Sequence, residues 1–201
     1  QNICNFFIII YKTMLKLISR LILKIIGFRV TGPNQEKVPK KVYAVYPHTS
    51  NWDFPLGILL KFAMPLNVNY VGKDSLFKWP YGWLFRKLGG IPVDRTKNTN
   101  FVDMMVGLYK KYDHLAFALA PEGTRKRVQK FKSGFYYIAH QAGVPIIFVK
   151  FDFANKVVDF SEPFKTTGVY AEDMKAIIAH FRGTKGVNPD NACQWEEEVL
   201  S

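Results

Sequence analysis

From residue 40 onward, apolar runs of strand length alternate with stretches of helical length and spacing, and that alternation leaves few folds open. Residues 42–46, 68–71, 91–93, 115–119 and 146–151 read as strands, and residues 54–63, 99–112 and 131–141 read as helices. After Gly72-Lys73-Asp74-Ser75 comes an aromatic-rich stretch that Asp74 or Ser75 can cap as a further helix. Strands separated by helices pair in parallel through crossovers. The expected architecture is therefore α/β, a mixed, largely parallel sheet flanked by helices, preceded by an N-terminal amphipathic helix. The 201 residues, 48% of them hydrophobic, suffice to bury one core. Residues 31–201 are expected to form that domain and residues 1–30 the N-terminal helix, with Thr31-Gly32-Pro33 as linker. Ligands of such sheets lie beyond the carboxyl ends of the strands, where the chemistry-bearing residues fall.

The first of these residues follow a strand directly. Pro47-His48-Thr49-Ser50-Asn51-Trp52-Asp53 sets an imidazole and a carboxylate five positions apart, between the strand at 42–46 and a helix opening near Phe54. Such a turn can fold Asp53 onto one ring nitrogen of His48 and leave the other to take a proton from a substrate hydroxyl. That is two-thirds of a triad without a protein nucleophile. The bland alternative is a core or capping histidine beside an ordinary N-cap aspartate.

Two glycine turns each carry an arginine. One is Gly89-Gly90-Ile91-Pro92-Val93-Asp94-Arg95; the other, Ala120-Pro121-Glu122-Gly123-Thr124-Arg125, follows the run 115–119. A strand end opening into Gly and Thr offers backbone N–H groups and a hydroxyl, and a guanidinium adds the planar fork suited to phosphate. Lys73 is a further phosphate candidate, and either arginine is otherwise a solvated surface charge. Gly143-Val144-Pro145-Ile146-Ile147-Phe148-Val149 closes the series as a buried-strand pattern.

Four such blocks, in this order over roughly residues 40 to 150, resemble the glycerophospholipid acyltransferase family typified by 1-acylglycerol-3-phosphate O-acyltransferase. The resemblance implies transfer of a fatty acyl group from a thioester, acyl-CoA or acyl carrier protein, to the hydroxyl of a lysophospholipid. The acceptor implied is foremost 1-acylglycerol-3-phosphate, giving phosphatidic acid; another lyso-lipid, such as an amino-acid lipid, is the alternative. His48 and Asp53 stand as the catalytic pair. Gly90 and Arg95 match the second block, Glu122, Gly123, Thr124 and Arg125 the third, and Pro145 the fourth; the second and third hold the acceptor's phosphate and glycerol in the family. The chain departs from many members in Pro47 before the histidine and Ala120 before the Pro-Glu-Gly-Thr-Arg run. No cofactor and no covalent acyl-enzyme are expected.

A formal charge of +12 and a pI near 9.6 call for an acidic partner: nucleic acid, an anionic membrane surface or a phosphorylated substrate. The N-terminal segment favours the membrane. Lys12, Lys16, Arg20 and Lys24 recur every four residues on a helix otherwise filled by Leu15, Leu17, Ile18, Leu21, Ile22, Ile25 and Ile26. With a charge on every turn the segment is expected to lie in the interface, lysines reaching the headgroups, as a peripheral or monotopic element on the cytoplasmic face. The alternative is a helix packed on the core with its charges in water. Ile3 to Ile10 can extend it as a shallow anchor, although Met14 stands where a natural amino terminus would, and no signal-peptide pattern is present.

The remaining features are weaker. Phe77, Trp79, Tyr81, Trp83 and Phe85 are interrupted by Pro80 and Gly82, which points to core or membrane-facing packing rather than a base-stacking platform, and no nucleic-acid partner is expected. A non-catalytic basic module binding membrane or nucleic acid is favoured by charge alone. Lys126, Arg127, Lys130 and Lys132 meet the phosphates of the donor or form a solvated face. Cys4 and Cys193 have no framework spacing, and His114, His140 and His180 no metal-ligand spacing, so neither disulfide nor metal is expected.

Overall fold

A computed structural model describes residues 2–64, 66–93 and 101–195. Seven strands form one sheet: β1 (Arg29–Thr31), β2 (Lys40–Tyr46), β3 (Asn69–Lys73), β4 (Gly90–Val93), β5 (Leu115–Leu119), β6 (Ile146–Asp152) and β7 (Val157–Phe160). Their order is β1-β7-β6-β2-β5-β3-β4, and every neighbouring pair is parallel except β6 with β7. The helices are α1 (Asn2–Ile25), α2 (Asp53–Ala63), α3 (Gly82–Lys87), α4 (Phe101–Lys111), α5 (Gly134–Ala142) and α6 (Tyr170–Phe181). The expected mixed, largely parallel sheet flanked by helices is what forms.

The period-2 alternation of the central strands divides the core between the two faces. Val42, Ala44 and Tyr46 of β2, with Ile146 and Phe148 of β6, pack against α4, α5 and α6 through Met105, Tyr136, Ile138, Ile177 and Phe181. Tyr43, with Ile147, Val149 and Phe151, packs against Leu23 of α1 and Leu56, Leu60 and Ala63 of α2. With both faces covered, the central strands lack the polar alternation of a half-exposed sheet.

Four elements differ from expectation. Thr31 belongs to an edge strand paired with β7, not to a linker; three residues are too few for a periodic signal. β7 and α6 also escaped the sequence reading, although Met174, Ile177, Ile178 and Phe181 recur on one buried helical face. The aromatic stretch is not one helix. A 3-10 turn spans Asp74–Phe77 and α3 begins at Gly82, because Pro80 has no N–H to give, and Gly82 sits where a Cβ would run into the Phe77 carbonyl.

Helix α1 meets the domain along a narrow seam, with Ser19 and Leu23 buried and Arg20 Nε donating to the Ala63 carbonyl at 3.0 Å. Its cations border that seam. Met14, Leu17, Ile18, Leu21 and Ile25, at i, i+3, i+4, i+7 and i+11, point outward, from 48% to 73% exposed. Among the described residues no helix is long and apolar enough to cross a membrane.

Candidate active site

His48 is carried two residues past the end of β2, and Asp53 opens α2. Within the loop, Ser50 N donates to Asp53 Oδ2 at 2.9 Å and Trp52 N to Ser50 Oγ at 3.2 Å. The same carboxylate oxygen lies 3.0 Å from His48 Nδ1. Asp53 is buried, and the first turn of a helix is a favourable place for its charge, since unpaired N–H groups gather there. The His48 side chain keeps 25% of its surface exposed. A carboxylate on Nδ1 fixes the tautomer with the proton there and leaves Nε2, on the far side of the ring, as the basic nitrogen.

Glu122 holds the other side of the loop. Its side chain is fully buried, one oxygen accepting from His48 N at 2.5 Å and the other from Cys193 N at 3.1 Å. Burial pushes its carboxyl up to about 7, against the pull of the two N–H donors and of His48. With both oxygens on the main chain, Glu122 supports the loop bearing His48, a different task from the substrate contact expected of it. β5 lies directly beside β2, with Leu119 opposite Ala44, so the loops after the two strands meet at one edge.

A third support comes from the C-terminal segment, which sequence reasoning left out. Asn188 donates from its backbone N to Thr49 Oγ1 at 3.2 Å and from its side chain to Thr49 O at 3.0 Å. Gly186 lies so close that a Cβ would collide with Thr49 Oγ1 and stand 3.0 Å from Pro47. Gln194 N reaches Val128 O at 3.0 Å, and Trp195 packs on Tyr46 and Phe131. The pairing of Cys193 and Trp195 near the end of a polar tail is the signal that a buried anchor was there to find.

The other expected residues divide by position in the sheet. Gly123 adopts φ +65°, and a Cβ there would stand 2.7 Å from Lys132 Cδ, so the turn is compact; Thr124 follows it half-buried and Arg125 is exposed. Lys73 closes β3 at the same edge as Tyr46, two strands away, or about 10 Å laterally. Gly90 pairs with Tyr70 below that edge and is enclosed by the Phe77 ring and Phe85 carbonyl, each 2.7 Å from where a Cβ would stand. Its need is close packing rather than ligand contact. Pro145 precedes β6 and gives its carbonyl to Val42 N at 3.0 Å. In a parallel sheet that is the amino edge, some five strand residues or about 16 Å from the level of Tyr46, so the structure does not bring Pro145 to His48. Arg95 lies outside the described residues.

His48, Asp53 and the turn after β5 thus stand together on loops at the carboxyl edge of a largely parallel sheet. Residues 28–151 match the family described as Acyltransferase, and the chain belongs to that family. Among curated proteins it is 26% identical over 165 residues to a 1-acyl-sn-glycerol-3-phosphate acyltransferase of Haemophilus influenzae, covering 73% of this chain and 67% of that one. It is 32% identical over 145 residues to a probable enzyme of the same name from Mycoplasma pneumoniae, covering 68% of this chain and 54% of the relative. The fold is shared with the crystal structure of the 1-acyl-sn-glycerophosphate (LPA) acyltransferase PlsC from Thermotoga maritima, at a TM-score of 0.56, 19% identity, and 84% and 75% coverage of the two chains.

Proposed function

We propose that this chain transfers a fatty acyl group from acyl-CoA or acyl carrier protein to the free hydroxyl of 1-acylglycerol-3-phosphate, giving phosphatidic acid. The 3.0 Å contact of His48 Nδ1 with a buried Asp53 carries the reading. His48 Nε2 takes the proton of the acceptor hydroxyl as its oxygen attacks the thioester carbonyl. Asp53 holds the ring and stabilises the imidazolium. When the tetrahedral intermediate collapses, the C–S bond breaks and the departing sulfur takes the proton back, so the imidazole returns neutral and no acyl-enzyme forms. Arg125, with Gly123 and Thr124 on the adjoining loop, is suited to the acceptor's phosphate, and Arg95 and Lys73 are further cations for it. The names of the relatives support the acceptor.

The same reading puts α1 on the membrane. Its outward face is apolar, and Lys12, Lys16 and Lys24 lie on the flank toward the seam, from which their long side chains reach up to the headgroups of an anionic leaflet. The chain then rests on the cytoplasmic face as a peripheral or monotopic protein. The test is product formation from acyl-CoA, and separately from acyl carrier protein, with and without 1-acylglycerol-3-phosphate. Acceptor-dependent phosphatidic acid, lost at least about a hundredfold in a folded His48→Ala variant, is the expected result. Thioester consumption indifferent to the acceptor, or activity within a few-fold of the parent in His48→Ala, would refute it.

A further inference from the structure

The segment between β3 and β4 exposes more aromatic surface than a soluble domain has reason to show. Trp79 is 93% exposed, Tyr81 67% and Trp83 66%, with Leu76 and Leu84 also exposed. A monomer scatters single apolar side chains over its surface; five within nine consecutive positions form a patch. The base beneath them is closed. Phe77 is buried against Phe85 with ring centroids 6.2 Å apart, Phe85 meets Phe54 at 5.9 Å, and Tyr70 donates to the Phe85 carbonyl at 3.1 Å. Arg86 lies over the Phe77 ring. The indoles are thus held outward by a packed foundation.

Their place in the sheet gives them meaning. The segment begins at the carboxyl end of β3, the edge that carries His48, and Phe54, which supports it, is the residue after Asp53. Trp52, 68% exposed, stands on the other side of Asp53. The surrounding charge is one-sided: Lys73, Lys78, Arg86 and Lys87 are exposed against Asp74 alone. Tryptophan and tyrosine tips ringed by cations fit the interface of an anionic bilayer, where indole sits at headgroup depth and lysine meets phosphate.

We infer that residues 76–84 insert into the interface of an anionic membrane as a second contact, separate from α1, setting the mouth of the His48 site against the lipid surface. This rests on the proposed lipid acceptor and adds where that lipid enters.

The test uses the full chain and vesicles of phosphatidylcholine with phosphatidylglycerol. Tryptophan fluorescence should be quenched by lipids brominated in the upper acyl chain, and Trp79→Phe with Trp83→Phe should remove most of that quenching while the protein still binds. Trp79→Ser with Trp83→Ser should weaken vesicle binding about tenfold and raise the apparent KM for bilayer-presented acceptor. Activity on a dispersed short-chain acceptor should hold. Leu17→Ser with Leu21→Ser, on the outward face of α1, should weaken binding while leaving Trp79 and Trp83 quenched in the fraction still bound. Quenching that survives loss of both tryptophans, or vesicle binding indifferent to the Ser pair, would overturn the inference. Interfacial quenching in a protein that transfers no acyl group would instead uphold the surface and remove the acceptor reading.

Discussion

Replacing Glu122 with Gln should remove a pH-dependent loss of stability and lower activity. Glu122 is fully buried, and its carboxyl titrates near 7 in the folded chain against 4.5 when unperturbed, chiefly because burial penalises the charge. Between those values the folded protein holds a proton that the unfolded chain has released. Stability therefore falls as pH rises from about 4.5 through 7, and the contribution intact at pH 4 is gone above pH 8. The shift corresponds to roughly 3 kcal/mol. Glutamine is neutral throughout, as the protonated acid is, and close to it in shape. The variant should start below the parent near pH 4.5, by the about 1 to 3 kcal/mol that setting an amide N–H against a buried backbone N–H costs, and should gain up to about 3 kcal/mol relative to the parent by pH 8, or roughly 6 to 12 °C in Tm for a chain of this size.

The price in function lies in geometry. A carboxylate accepts from His48 N and Cys193 N together, whereas an amide offers one oxygen and turns N–H donors toward the other backbone N–H. The loop carrying His48 should loosen, and kcat should fall while acceptor KM changes little. Urea unfolding followed by circular dichroism at pH 4.5, 6, 7 and 8 gives the stability difference, and initial rates at pH 8 give the second readout. Parallel stability curves for the two proteins across that range would show that Glu122 is not a buried carboxyl of raised pKa.

Asp53→Asn keeps the shape of the pair but no longer favours a proton on Nδ1, and kcat should drop roughly 10²- to 10⁴-fold in a protein whose melting shows an intact fold. Arg125→Lys retains charge and removes the two-pronged fork; apparent KM for the phosphorylated acceptor should rise about tenfold or more and donor KM should stay put, as varied-substrate kinetics would show. Gly186→Val places a branched side chain against Thr49 and Pro47; kcat should fall markedly while far-ultraviolet circular dichroism remains that of the parent.

Sequence made the sheet and the dyad legible because both rest on local signals. A short apolar run such as 42–46, bounded by polar residues and turn signals, reads as a buried central strand, and six residues between a strand end and a helix start leave His48 and Asp53 little choice but to meet. What escaped depends on distant partners. β1 is three residues long and becomes a strand only because β7, itself short and far along the chain, pairs with it. Glu122 is expected at the substrate only through the resemblance of its turn to the family's third block; its inward turn is decided by the N–H groups of His48 and Cys193, 74 and 71 positions away. Pro145 was carried over by motif, and only strand direction reveals that it lies at the opposite edge from the base.

The loop bearing His48 is fastened from three sides by parts of the chain outside it: Asp53 from α2, Glu122 from the turn after β5, and Asn188 from the tail after α6. On the proposed mechanism His48 must hold its nitrogen within hydrogen-bond reach of a hydroxyl it does not itself bind, and an isolated loop of six residues would wander by more than that tolerance. The fastenings differ in kind. Asp53 acts on the ring, Glu122 on the backbone of the histidine itself, and Asn188 on the next residue. Two of the three also close the core, because Cys193 and Trp195 bury the tail against Tyr46 and Phe131. Loss of the tail would thus uncover core and release the base together, which couples activity to completion of the fold. Arg125, the proposed phosphate contact, is exposed on its turn and has no comparable brace among the described residues. On the proposed function, a pair fixed to the sheet facing an exposed cation suits a substrate whose phosphate stays at a membrane surface while its hydroxyl comes to His48.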